Sequence, residues 1–236
     1  MITTGFKEDL QYFQNLLSTK TPFSLVRFGD GEMDIMKGYG IDLLHKGEFK
    51  FSGEPHLRLD LIKSFQHEQK NYHVGIACPC CVGQQNFDWM RKNTYLDDSC
   101  LTWANIFVNS NYRNFKEQIV PLFEDYEITL VSPGDISNLP SNINKHYSIG
   151  KNAWVKNANV YDEIRNQILE SDDANPKLFL FCAGPFANIL CHKLFSEFPN
   201  HTFIDLGSVW NAELGIGKNR GYLRGAPTLQ KVCIWG

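Results

Sequence analysis

The sequence predicts an α/β protein with a mostly parallel sheet and crossover helices on both faces. Three observations carry this. Apolar strand-like runs alternate with helix-period segments along most of the 236 residues, the pattern of repeated β-α-β units. Lys177-Leu-Phe-Leu-Phe-Cys182 is a continuous apolar run, the kind buried on both faces of a parallel sheet. Phe23-Ser-Leu-Val-Arg-Phe-Gly-Asp-Gly-Glu32 runs a strand straight into a turn rich in charge and glycine, where an open α/β sheet places its ligand.

The elements follow in order. Phe6, Leu10, Phe13 and Leu17 recur at helical spacing, so a helix covers about residues 6–18. A strand occupies 23–28. Gly38, Gly40, Gly47 and Gly53 punctuate an irregular stretch around Ile41-Asp-Leu-Leu44. Pro55 opens a helix reaching His67, Tyr72-His-Val-Gly-Ile-Ala77 is a second strand, and residues 84–95 form a helix. Cys100-Leu-Thr-Trp-Ala104 is a short third strand, and Phe115, Ile119 and Leu122 mark a helix over 112–123. Glu127-Ile-Thr-Leu-Val-Ser132 is the clearest central strand, and Lys145-His-Tyr-Ser-Ile149 is a candidate for another. Val160, Ile164 and Ile168 mark a helix before the break at Asp172-Asp-Ala-Asn-Pro176. Strand 177–182, helix 185–195 and strand 201–206 complete the order. The tail from Gly207 onward has no assignable period. No internal repeat or low-complexity linker is visible, so one domain spanning 1–236 is expected.

Composition narrows the function classes. Hydrophobic content of 43% and charged content of 21% describe a globular chain. A formal net charge of −3 argues against a polyanion-binding surface. The N-terminal residues show neither the cationic nor the apolar region of a signal peptide, and no apolar run approaches a membrane span. Seven cysteines is an odd number for a disulfide framework. Cys182, Cys191 and Cys233 lie in apolar contexts as small core residues, so a reducing compartment, the cytoplasm, is expected. Cys78-Pro-Cys-Cys81 has no second Cys-x-x-Cys pair and Cys100 stands alone, so a structural loop is the simplest reading of it.

Chemistry concentrates in Arg27-Phe-Gly-Asp-Gly-Glu32. In an extended segment Asp30 and Glu32 would point to one side, suiting a hard divalent ion that takes its remaining ligands from water and phosphate. Gly29 and Gly31 let the backbone approach a ligand. The plain alternative is a solvated Asp-Gly turn. Against it, Met33-Asp-Ile-Met-Lys-Gly38 is no return strand, and Arg27 ends an apolar strand where an unpaired guanidinium is costly. Three further strand ends are candidates. Val131-Ser-Pro-Gly-Asp135 brings Ser132 and Gly134 together. Ala183-Gly184-Pro185 opens a helix and can seat an anion, although Pro at a first helical position is also ordinary helix chemistry. Asp205 interrupts the apolar run Phe203-Ile-Asp-Leu-Gly-Ser-Val-Trp210. Lys218, Arg220 and Arg224 would neutralise a diphosphate or form a solvated loop. The histidines show no ligand spacing, and His146, beside Tyr147, is more simply non-catalytic.

Arg27-Phe-Gly-Asp-Gly-Glu32 resembles the signature of bacterial glycosyltransferases with the GT-D fold, a family first described as a domain of unknown function. Asn144-Lys-His-Tyr-Ser-Ile-Gly-Lys-Asn-Ala-Trp154 before the Tyr161-Asp-Glu-Ile164 helix looks like the family's central segment. Leu178 through Gly184-Pro185, then Phe203-Ile-Asp-Leu-Gly207, is similar to its final strand–helix–strand unit. The resemblance implies a Rossmann-like hexosyltransferase domain that uses a UDP-linked nucleotide sugar and a glycan, glycoprotein or glycolipid acceptor. It implies Asp30 and Glu32 as anchors for Mn²⁺ or Mg²⁺. It implies Arg27, Gly29, Ser132, Gly134, Asn152, Gly184 and Pro185 around the nucleotide sugar, with Arg27 and Asp205 in the chemistry. Many relatives are expected to carry Asp-x-Gly-His where this chain has Asp205-Leu-Gly-Ser208, so a histidine base does not transfer. A metal-dependent nucleotide-sugar hydrolase or phosphotransferase, and a non-catalytic nucleotide-binding module, stand as alternatives.

Overall fold

A computed structural model of the chain describes residues 6–171 and 175–224. Helix α1 (Phe6–Ser18) buries Leu10, Phe13 and Leu17 along one face. Strand β1 (Ser24–Phe28) follows, then α2 (Asp30–Lys37) and an antiparallel ribbon of β2 (Ile41–Asp42) and β3 (Lys50–Phe51). Next come α3 (Pro55–Phe65), β4 (Tyr72–Ile76), α4 (Pro79–Val82), α5 (Gln84–Thr94) and β5 (Leu101–Trp103). After α6 (Tyr112–Asn114) the order is β6 (Ile128–Ser132), β7 (Ile143–Ser148), α7 (Ala153–Lys156) and α8 (Val160–Leu169). Strand β8 (Leu178–Phe181), α9 (Pro185–Glu197) and β9 (Thr202–Asp205) complete the set. Among the described residues no helix is long and apolar enough to cross a membrane.

The seven long strands form one sheet in the order β5-β4-β1-β9-β8-β6-β7, with every pairing parallel. The inner strands β1, β4, β6, β8 and β9 are buried at every position. Their apolar runs therefore lack alternation because both faces are covered. At one edge β7 leaves Asn144 and Lys145 exposed, the polar dress of an edge strand. Alternate residues feed two cores: Phe179, Phe181 and Phe203 pack with α3, α8 and α9, whereas Leu178, Leu180 and Ile204 pack with α1 and Trp210. The expected mostly parallel sheet with helices on both faces is the fold observed.

Two local readings change. Residues 112–123 do not form a regular α-helix: α6 runs into a π turn at Phe115–Ile119 and a 3-10 stretch at Val120–Asp125. Pro121 explains the break, because it has no N–H to donate and its ring crowds the preceding turn. Asp30 and Glu32 lie not in an extended loop but in the first turn of α2. Glu32, at the third helical position, accepts the Gly29 N–H at 3.0 Å. The acids also sit where the helix dipole favours negative charge. Gly38 ends the helix at φ 87°, returning its N–H to Ile35 at 2.9 Å.

Strand order reverses between β1 and β9. From β1 the chain moves to β4 and β5 on one side, while β9 is reached from β8 on the other. Pairing of β1 with β9 covers only Ser24 with Phe203 and Leu25 with Ile204, so the two strands part before their carboxyl ends. That opens the crevice in which doubly wound sheets hold ligands.

The connection after β6 docks on the tail. Asp135 N–H donates to the Leu214 carbonyl at 3.1 Å, and Gly134, at φ 84°, has no room for a Cβ against the same carbonyl oxygen. Gly134→Ala is therefore expected to lower unfolding stability by about 1–3 kcal/mol in urea titration. Gly150→Ala, where a Cβ meets nothing within 4 Å, should change it by less than about 0.5 kcal/mol.

Candidate functional site

A cavity of about 480 Å³ opens at the carboxyl ends of β1, β4, β8 and β9. Arg27 forms its floor. This side chain is buried, with Nε donating to the Asp205 carbonyl at 2.7 Å and one terminal nitrogen donating to the Ala104 carbonyl at 3.0 Å. The other terminal nitrogen lies 3.7 Å from Asp205 Oδ1, and the guanidinium rests over the Phe107 ring at 5.6 Å. Asn188 of α9 donates to the Arg27 carbonyl at 3.0 Å, fixing the strand end from the helix side. Asp205 Oδ1 accepts the Gly207 N–H at 2.8 Å. Gly207 has φ 58°, and a Cβ there would collide with the guanidinium.

Asp30, Glu32 and Asp205 all line this cavity. Burial pushes the Asp205 carboxyl above its ordinary range, and the Arg27 charge only partly offsets the shift. Glu32 is raised further, to about 7, first by desolvation and then by the charges of Asp205 and Asp30, against the Gly29 hydrogen bond. Asp30 is exposed, and its Oδ1 accepts the Gly31 N–H at 3.0 Å. Residues two apart in a helix are rotated by about 200°, so Asp30 and Glu32 reach the cavity from different sides of the first turn of α2.

Two helix starts meet here, with Gly29 capping α2 and Gly184 capping α9 at φ 56°. Phe49 of the ribbon packs over both helix starts. A Cβ on Gly31 would come within 3.3 Å of its ring, and one on Gly184 within 3.2 Å. The structure thus brings Arg27, Gly29, Asp30, Glu32, Asn152, Gly184 and Asp205 into one cavity. Asn152 supports the wall: its side-chain oxygen accepts Lys50 N–H at 3.0 Å and Trp154 Nε1–H at 2.8 Å.

Ser132, Gly134 and Pro185 fall outside the lining. Ser132 is buried and shares a hydrogen bond of 3.0 Å with His146 Nε2, which also gives His146 a structural place on the sheet edge. Gly134 turns toward Leu214, as described above, and Pro185 is buried in the first turn of α9. Among the described tail cations only Arg220 lines the cavity, paired with Glu48 at 2.7 Å. Arg224 instead donates to the Lys218 carbonyl at 3.1 Å.

The sequence reading missed Glu48, Phe49 and Tyr222. The alternation Glu48-Phe49-Lys50-Phe51 was a strand signal that could have found the ribbon. Nothing local marks Tyr222, whose hydroxyl lies 2.6 Å from Ser208 Oγ.

A hard divalent ion fits the donor set at the level of chemistry. Two carboxylates and a cavity whose acids repel one another suit a cation that completes its shell with water and phosphate. Among the described residues, no three acids bring ligand atoms within 4.8 Å of one another.

No protein-family profile and no curated protein matches the chain by sequence. Solved structures share its fold. One is described as the domain of unknown function 1792 with a distinct glycosyltransferase fold; it is 20% identical, at TM-score 0.58, over 97% of this chain and 83% of the other. Another, a new glycosyltransferase of the same domain from Streptococcus sanguinis, is 19% identical at TM-score 0.59, over 95% and 85%. A selenomethionine-substituted structure of that domain is 21% identical at TM-score 0.59, over 97% and 83%.

The Glu32 carboxyl yields a pH prediction. Its folded value of about 7 exceeds the ordinary 4.5, so the folded state holds a proton that the unfolded state releases. That contribution is complete below about 4.5 and is lost as pH rises through about 7. In metal-free protein, Glu32→Gln is expected to raise Tm relative to wild type at pH 8 and to leave it nearly unchanged at pH 4. Parallel melting curves at both pH values check this.

Proposed function

We propose that this protein is a metal-dependent glycosyltransferase that moves a hexose from a UDP-linked donor to a glycan or glycoconjugate acceptor. The observation that carries the reading is the convergence of an acidic pair, a buried arginine and two helix N-termini on one cavity, at the strand-order reversal of a glycosyltransferase-like fold.

The dipoles of α2 and α9 supply positive potential at their starts for the donor diphosphate. Arg27 adds a fixed charge, because two carbonyls and Asp205 hold it in place. Arg220 is the mobile counterpart: its partly exposed side chain can exchange Glu48 for a phosphate oxygen. Asp30 and Glu32 would hold Mn²⁺ or Mg²⁺, and a bound divalent ion would supply charge stabilisation for the departing diphosphate. Such binding requires Glu32 in its ionised form, which explains why an acid is kept where burial resists ionisation. In this reading Asp205, whose burial raises its carboxyl above the ordinary range, would take the acceptor hydroxyl proton as the new glycosidic bond forms.

Transfer of labelled sugar from UDP-sugars to glycan acceptors tests the activity. Acceptor-independent nucleotide release as the main product would instead establish the hydrolase alternative. Asp30→Ala and Glu32→Ala are each expected to remove most manganese-dependent binding of a nucleoside diphosphate, read by calorimetry, while retaining the wild-type circular dichroism spectrum. Asp205→Asn should lose about 10²–10⁴-fold in turnover with donor affinity kept. Unchanged turnover per folded molecule with a lowered Tm would make Asp205 a brace for Arg27 instead.

A further inference from the structure

Cys78-Pro-Cys-Cys81, read from sequence as a structural loop, folds as the short helix α4 at the carboxyl end of β4. Cys78 caps it in an extended conformation, and the Cys81 N–H returns to the Cys78 carbonyl at 3.0 Å. This turn gathers all three thiols. The sulfurs of Cys78, Cys80 and Cys81 lie within 4.8 Å of one another, and those of Cys78 and Cys80 are 3.1 Å apart. Among the described residues no other set of three His, Cys, Asp or Glu ligand atoms is so compact. Burial is graded across the trio: Cys78 is buried, Cys81 half-buried and Cys80 exposed.

Packing accounts for Cys78, buried in the same core as Cys191, and in part for Cys81 at its edge, but not for Cys80. Cys182 and Cys191 show what core cysteines look like in this chain, each buried within the hydrophobic cores. An exposed Cys80 thiol gains nothing as a hydrophobe.

From this geometry we infer that Cys78, Cys80 and Cys81 form a three-thiolate site for a thiophilic d¹⁰ cation such as Zn²⁺. Tetrahedral zinc with bonds of about 2.3 Å sets its sulfur ligands about 3.8 Å apart, within the 4.8 Å span of the trio, with the 3.1 Å Cys78–Cys80 pair spreading slightly. Three ligands from four consecutive residues leave one coordination position open. Cys78 and Cys81 line the same cavity as Asp30 and Glu32, so a ligand in that cavity or water completes the shell. The two sites do not compete for one ion: soft thiolates select zinc, whereas carboxylate oxygens suit magnesium and manganese. The inference stands on the thiol geometry and does not depend on the transferase reading.

Zinc alone is the probe. Reduced, metal-free full-length protein is titrated with Zn²⁺ against a chromophoric chelator, and Co²⁺ substitution is followed by absorption. The expected result is one equivalent of zinc per chain and thiolate-to-cobalt charge-transfer bands. Cys80→Ser, at an exposed position that does not threaten folding, should weaken zinc binding by at least about tenfold, since even outer-shell losses cost about 10–100-fold. Cys100→Ser and Asp30→Ala should leave it unchanged. No zinc binding, no thiolate bands, or zinc binding that survives Cys80→Ser and Cys81→Ser but fails in Asp30→Ala would overturn the assignment.

Discussion

The placement of Arg27 governs the rest of the site. A guanidinium at the end of a fully buried strand is tolerated only when each of its faces finds a partner. Here the partners are backbone carbonyls from two other strand ends, Asp205 closing β9 and Ala104 just after β5. Both reach it because glycines make room. Gly75 is Arg27's register partner in β4, and a Cβ there would press within 3.1 Å of the Ala104 backbone. Gly207 gives way on the opposite side. Arg27 thereby holds together three carboxyl-terminal strand ends, and its side chain bridges β1 to β9 where their backbone ladder has stopped.

The same burial sets the electrostatics. Asp205 offsets the Arg27 charge, yet Glu32 and the exposed Asp30 add two further acids to the same cavity. Desolvation, then repulsion from Asp205 and Asp30, raises the Glu32 carboxyl to about 7. An acid kept in this state weakens the protein at high pH, a cost that the proposed divalent ion would offset when bound. Helix starts at Gly29 and Gly184 contribute partial positive potential on the same wall, which favours an anion beside that cation.

Cavity walls come from parts of the chain far apart in sequence. The β2–β3 ribbon contributes Phe49, packed on two glycines, and Glu48, which reaches the tail through Arg220. Asn152 ties the ribbon to α7 by spending its side-chain oxygen on Lys50 and Trp154. The tail closes the other side through Tyr222 and Ser208. A ligand between ribbon and tail would meet the half-buried Arg220–Glu48 ion pair above the base formed by Arg27.

The sequence by itself determined the layered α/β architecture, most strand and helix positions, and the strand end that carries the site. These follow from hydrophobic period and continuous apolar runs, which depend on local spacing and on whether one face or two are buried. It also singled out Arg27, Asp30, Glu32, Gly184 and Asp205, because charge or glycine at a buried strand end is costly unless used. Tertiary structure alone decided that Asp30 and Glu32 start a helix, since Gly29 capping and the Glu32 return bond outweigh the Asp-Gly turn signal. It decided that Ser132 belongs to His146 and Gly134 to Leu214, because the partners of a strand-end loop are set by whichever distant segment packs over it. It also brought three neighbouring thiols together and closed the cavity with Phe49 and Tyr222, whose positions depend on long-range packing that no local period encodes.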